Sequence, residues 1–91
     1  MKKSQTQFYE LIGEKIRHLR KNSNLKLEDL TKKSGLKLSK ASLSAIENGK
    51  QQISAYQLYC LGKGFNVPVD SFFEKIKLKE EEKDFEKIKN I

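Results

Sequence analysis

The thirteen residues Leu38-Ser39-Lys40-Ala41-Ser42-Leu43-Ser44-Ala45-Ile46-Glu47-Asn48-Gly49-Lys50 spell out a short helix with both of its ends specified. Ser39 can cap the start by accepting a hydrogen bond from a free backbone N–H, and Gly49 suits the left-handed residue that ends a helix. Leu43 and Ile46 stand three residues apart, so they share one inward stripe. The opposite face carries Lys40, Ala41, Ser44 and Ala45, which are small, polar or basic. That is the build expected of a helix laid against DNA.

The flanking segments supply the partners such a helix needs. Phe8, Leu11, Ile12, Ile16 and Leu19 recur at three- and four-residue steps, which predicts a first amphipathic helix over about Thr6 to Lys21. Asn22-Ser23-Asn24 breaks it, and a second short helix is expected from Leu27 to Lys33, with Glu28 and Asp29 favourably placed in its first turn. Leu25 and Leu30 are spaced as a hydrophobic staple across its entry, and Gly35 ends it. Ser54 can cap a fourth helix, with Ile53 and Leu58 as its staple and Leu58, Leu61 and Phe65 as its buried stripe. Gly62 and Gly64 would weaken that helix unless it lies close against a neighbour. Pro68 interrupts the pattern, and Val69-Asp70-Ser71-Phe72-Phe73 reads as the start of a fifth helix. Two aromatics stand there where the domain needs one, so Phe72, Phe73 and Ile76 are the expected dimer contact.

The fold class expected is therefore all-α, with residues 1–75 as the globular domain and 76–91 as a charged helical tail. Charge agrees with a phosphate-facing surface. From Met1 to Phe73 there are 13 Lys or Arg against 6 Asp or Glu, whereas Glu74 to Ile91 holds 6 of each. The whole excess of +7 belongs to the bundle. Glu81 and Glu82 interrupt any stripe from Leu78 to Phe85, so the tail lacks coiled-coil heptads. It reads as a solvated helix or as a contact for a dimer or a protein partner.

Other chemistry is thinly supported. One cysteine, Cys60, and one histidine, His18, make neither a disulfide nor a metal set, and no cofactor is expected. Cys60 reads as a small buried hydrophobe, His18 as a surface or partly packed residue, and Tyr56 and Tyr59 as packing or interface residues. The five glycines form no phosphate-binding signature, and no nucleophile or acid and base pair stands out, so the chain is not expected to be an enzyme. The start, Met1-Lys2-Lys3, runs into polar residues without a signal peptide, and no window approaches the roughly 18 apolar residues of a membrane span. The cytoplasm is the expected location.

The runs Ile12-Gly13-Glu14-Lys15-Ile16-Arg17-His18-Leu19-Arg20, Leu25 to Gly35, Ser42 to Lys50 and Leu58 to Phe73, in that order, resemble the Cro and lambda repressor-like helix-turn-helix domain, the XRE family. The resemblance spans about Phe8 to Phe73 and implies a five-helix bundle whose third helix enters the major groove of double-stranded DNA, usually as a dimer on a palindromic operator. It places Lys40, Ala41, Ser44 and Ala45 toward base edges, and Ser39, Asn48, Lys50, Gln51 and Gln52 toward phosphates; Ser42 lies within the same DNA-binding stretch. Arg20 and Glu47 match a structural ion pair between the first and third helices. Two departures stand out. Leu27 occupies a position where many members carry Gln, and the segment from Gly35 to Glu47 is two residues longer than the commonest spacing. The function implied is a transcriptional regulator, a repressor or autoregulator; the alternative is an antitoxin or other partner-binding module that uses the bundle and the tail.

Overall fold

The computed structural model describes residues 3–74 and 76–78. Four α-helices, α1 (Lys3–Asn22), α2 (Leu27–Ser34), α3 (Lys40–Glu47) and α4 (Ala55–Phe65), are followed by a 3-10 turn at Val69–Phe73. No strand occurs among the described residues.

Each of the four α-helices is followed within two residues by one in the left-handed conformation. Asn24, Gly35, Gly49 and Asn66 have φ values of 56°, 73°, 73° and 58°. After α1, Leu25 N–H returns to the Arg20 carbonyl at 3.1 Å; after α4, Val67 N–H returns to the Gly62 carbonyl at 2.9 Å. These hooks satisfy carbonyls that the helix itself leaves without a partner and turn the chain sharply back toward the bundle. At the opposite ends, Asp29 accepts from Lys26 N–H at 2.9 Å, and Ser54 and Gln57 form a reciprocal capping box.

The helices bury one apolar core of Ile12, Ile16, Leu30, Leu43, Ile46, Ile53, Leu58, Leu61 and Phe72. Both staple pairs join this cluster, with Leu25 packed against its edge. α1 lies against α3, while α2 lies against both α3 and α4. Gly64 faces α2, where a Cβ would sit in ordinary contact 3.4 Å from Ser34 Cα. Gly62 serves a different neighbour, the Val67 carbonyl of its own helix hook, at 3.1 Å.

The fifth element differs from the sequence expectation. Ser71 directs both its N–H (3.0 Å) and its hydroxyl (2.7 Å) to the Pro68 carbonyl, and Glu74 is already extended, so the segment closes as a tight five-residue 3-10 turn. Phe72 is 1% exposed and plugs the core, which removes it from the surface expected to hold a second copy. Phe73 stays 44% exposed and stacks on Phe8, with ring centroids 6.1 Å apart. Ile76 is half-buried against the core, and residues 76–78 carry no regular structure. The remainder of the expected helical tail, 79–91, lies outside the described residues.

The connection between α2 and α3 is held by its own side chains. Leu36 and Leu38 turn into the core edge while Lys37 faces solvent, so the segment is anchored rather than looped out. Cys60 is half-buried, Tyr56 and Tyr59 are exposed, and Lys63 Nζ lies 5.6 Å from the Tyr59 ring centroid. His18 is exposed, with Nε2 at 3.0 Å from the Asn22 side-chain amide.

Candidate nucleic-acid interface

The orientation of α3 is fixed from behind. A Cβ built at Gly13 of α1 would meet the Ile46 carbonyl oxygen and would come to 2.6 Å from the Glu47 carbonyl oxygen. The two helices therefore cross backbone on backbone, a separation that only glycine permits. Seven residues along α1, Arg20 grips Glu47 with two hydrogen bonds, Nε to Oε2 at 2.7 Å and Nη2 to Oε1 at 3.0 Å. Its third nitrogen, Nη1, donates to the Leu25 carbonyl at 2.9 Å, so one guanidinium ties α1, the entry to α2 and α3 together. Hydrogen bonding to Glu47 raises the Arg20 pKa above its ordinary value, partly opposed by burial. Glu47 is buried, so its negative charge faces inward against Arg20 and is withheld from the outer surface.

What remains outward on α3 is basic or small. Ser39 accepts from Ser42 N–H at 3.0 Å and so opens the helix; Ser42 itself is half-buried. Lys40 and Ala41 are exposed at the first turn, whereas Ser44 and Ala45 are half-buried one turn on. The base-facing set implied by the family resemblance is therefore graded, open at the N-terminal end and recessed toward the C-terminal end. The Ser44 carbonyl accepts both Asn48 N–H and the Asn48 side-chain amide, each at 3.0 Å, and Lys50 N–H reaches the Ala45 carbonyl at 2.9 Å. This hook delivers exposed Asn48, Lys50, Gln51 and Gln52 as a continuous run beyond the helix. Gly49 at its bend has no room for a side chain, since a Cβ would sit 2.6 Å from Glu10 Cγ.

Sequence reading missed one neighbour of this surface. Glu28, in the first turn of α2, places Oε2 3.8 Å from Lys40 Nζ. The two residues are separated by a whole helix and a turn, and no local spacing rule links them. Gly13 was missed for the same reason, because the need for glycine comes from α3 and not from α1.

The sequence that builds this helix pair matches the helix-turn-helix family model over residues 16–72. The chain belongs to the XRE family of helix-turn-helix proteins. It is a DNA-binding regulator of that family. The matched stretch takes in the later turns of α1, all of α2, α3 and α4, and most of the 3-10 turn of this XRE-family domain, and it leaves Gly13 outside. A search of the curated proteins finds no match to the chain. Among the described residues of the domain, no helix is long and apolar enough to cross a membrane, and no group of His, Cys, Asp or Glu is placed to hold a metal ion.

Proposed function

We propose that this XRE-family protein is a sequence-specific repressor or autoregulator that acts as a homodimer on a palindromic operator, with α3 in the major groove. The observation that carries the reading is the outward charge of α3. Its only carboxylate is turned inward onto Arg20, while Lys40 and Lys50 stand at its two ends. A surface of that kind approaches a polyanion without a repulsive charge of its own at the centre.

The residues divide by what they can offer. Lys40 donates to guanine acceptors, and Ala41 gives only methyl contact, for example to thymine; Ser44 and Ala45 add small contacts deeper in the surface. Ser39, Asn48, Lys50, Gln51 and Gln52 flank them and meet phosphates, which set register without reading sequence, and Ser42 lies within the same DNA-binding stretch. Direct readout is thus sparse, and specificity draws on two half-sites and on the deformability of base pairs that are not touched.

The test is fluorescence anisotropy of the purified protein on DNA from upstream of its own gene, against a scrambled duplex near physiological salt. A preference of about 10³ or more supports specific regulation of its own expression. Equal, salt-sensitive binding to both duplexes refutes autoregulation. Sedimentation with and without DNA decides the dimer; one protein chain per duplex at saturation refutes it.

A further inference from the structure

We propose that Glu28 and Lys40 act together as an orientation-sensitive reader of one base pair, with the Lys40 ammonium on the guanine and the Glu28 carboxylate on the amino group of the paired cytosine. This rests on α3 being the groove helix. The two side chains stand on the first turns of α2 and α3, Nζ and Oε2 are 3.8 Å apart, and they are 70% and 49% exposed.

Folding accounts for Glu28 alone, whose charge suits the first turn of α2, and not for its closeness to Lys40. An ion pair as exposed as this contributes almost nothing to stability, and capping at the start of α2 falls to Asp29, which holds Lys26 N–H at 2.9 Å. An acidic side chain beside a surface for a polyanion repels phosphate, so it lowers affinity unless DNA offers it a donor. In the major groove the donors are the amino groups of cytosine and adenine.

Each base pair presents one such donor beside one carbonyl acceptor, and their order depends on which strand carries which base. G·C shows the acceptor O6 and then the cytosine amino group, C·G shows the reverse order, and A·T sets its amino group between two acceptors, adenine N7 and thymine O4. A lysine and a glutamate held side by side match the first order and meet like charge with like in the second. T·A keeps the acceptor–donor order but has the thymine methyl group where guanine has N7, so lysine loses its second acceptor there. The expected ranking places G·C first and C·G last, with T·A and A·T between them.

The experiment uses the full chain and a duplex enriched by wild-type protein from a random-sequence pool, with each position then changed to all four base pairs. Wild type should show a position at which G·C exceeds C·G by about tenfold or more. Glu28→Gln should shrink that ratio to about two- or threefold while strengthening binding to random duplex, because a repulsive charge is gone. The exchanged double variant Glu28→Lys/Lys40→Glu should reverse the preference at the same position. Uniform strengthening on all four duplexes by Glu28→Gln, or G·C preference retained by the exchanged variant, overturns the proposal while leaving DNA binding intact. Failure of wild type to bind any duplex in a salt-sensitive way overturns the DNA reading itself, and the proposal with it.

Discussion

Gly13→Ala is the substitution in which the geometry makes its strongest demand. The added Cβ would stand 2.6 Å from the Glu47 carbonyl oxygen and closer still to that of Ile46, where about 3.5 Å is comfortable, so α1 and α3 must part by roughly 1 Å. Both obstacles are backbone atoms of α3 and cannot swing aside. On either side of the contact lie Ile12, Ile16, Leu43 and Ile46, all essentially inaccessible to solvent. Full burial of such a side chain contributes about 1.5–3 kcal/mol, and a gap approaching 1 Å forfeits a quarter or more of the contact energy. Over four side chains the loss is about 2–3 kcal/mol, within the range for an overpacked interior. Alanine recovers about 1 kcal/mol through its better helix propensity. The net expectation is a loss of about 1–2 kcal/mol, or roughly 10 °C in Tm for a domain of this size. Urea and thermal unfolding followed by far-UV circular dichroism measure it. A Gly13→Ala protein as stable as wild type, or more stable, would mean that helix propensity outweighs the crossing and that the backbone contact does not hold α3.

Other perturbations separate the remaining features. Arg20→Met strands Glu47, 5% exposed, and should lower stability by about 3 kcal/mol in urea unfolding; Arg20→Met/Glu47→Leu should cost clearly less than the sum of the two single changes. Ser39→Ala removes the α3 cap at 3.0 Å and should cost about 1 kcal/mol, with faster amide hydrogen exchange confined to the first turn of α3. Phe72→Ala should cost about 3–5 kcal/mol in the same unfolding assay, because it empties the centre of the core, whereas Phe73→Ala, half on the surface, should cost far less. Lys50→Ala should weaken binding alike on operator and random duplex and reduce the salt slope by about one, as a phosphate contact does.

Legibility in the sequence followed the range over which each constraint acts. Ser39, Gly35, Gly49 and Ser54 work through capping hydrogen bonds to residues three positions away, so helix limits could be read from order alone: α2 expected to Lys33 runs to Ser34, and α3 starts directly after Ser39. Among the described residues α1 runs from Lys3, three residues before the expected Thr6, and Ser4 in its added turn is buried. The left-handed Asn66 escaped notice since asparagine, unlike glycine, occurs in many other settings. Spacing alone could not allot Phe72 to the core and Phe73 to the surface, because adjacent residues in a tight 3-10 turn diverge in ways a helical stripe does not foretell. The Arg20–Glu47 pairing was carried by family resemblance, and the structure supplies its bidentate form and the third bond to Leu25. The proximity of Glu28 to Lys40 depends on how α2 and α3 dock, which no short motif encodes.

The glycine crossing behind α3 has a bearing on how this surface changes over generations. Since the tilt of α3 is set by main-chain atoms and by an inward ion pair, the outward side chains at Lys40 and Ala41 take no part in holding it. On the proposed DNA-facing role of these two positions, new preferences can accumulate there by single substitutions without a toll on folding, whereas the rear of the helix tolerates almost none. The domain in effect separates a mutable face from an immutable mount, which makes it a natural chassis for redesigning operator choice.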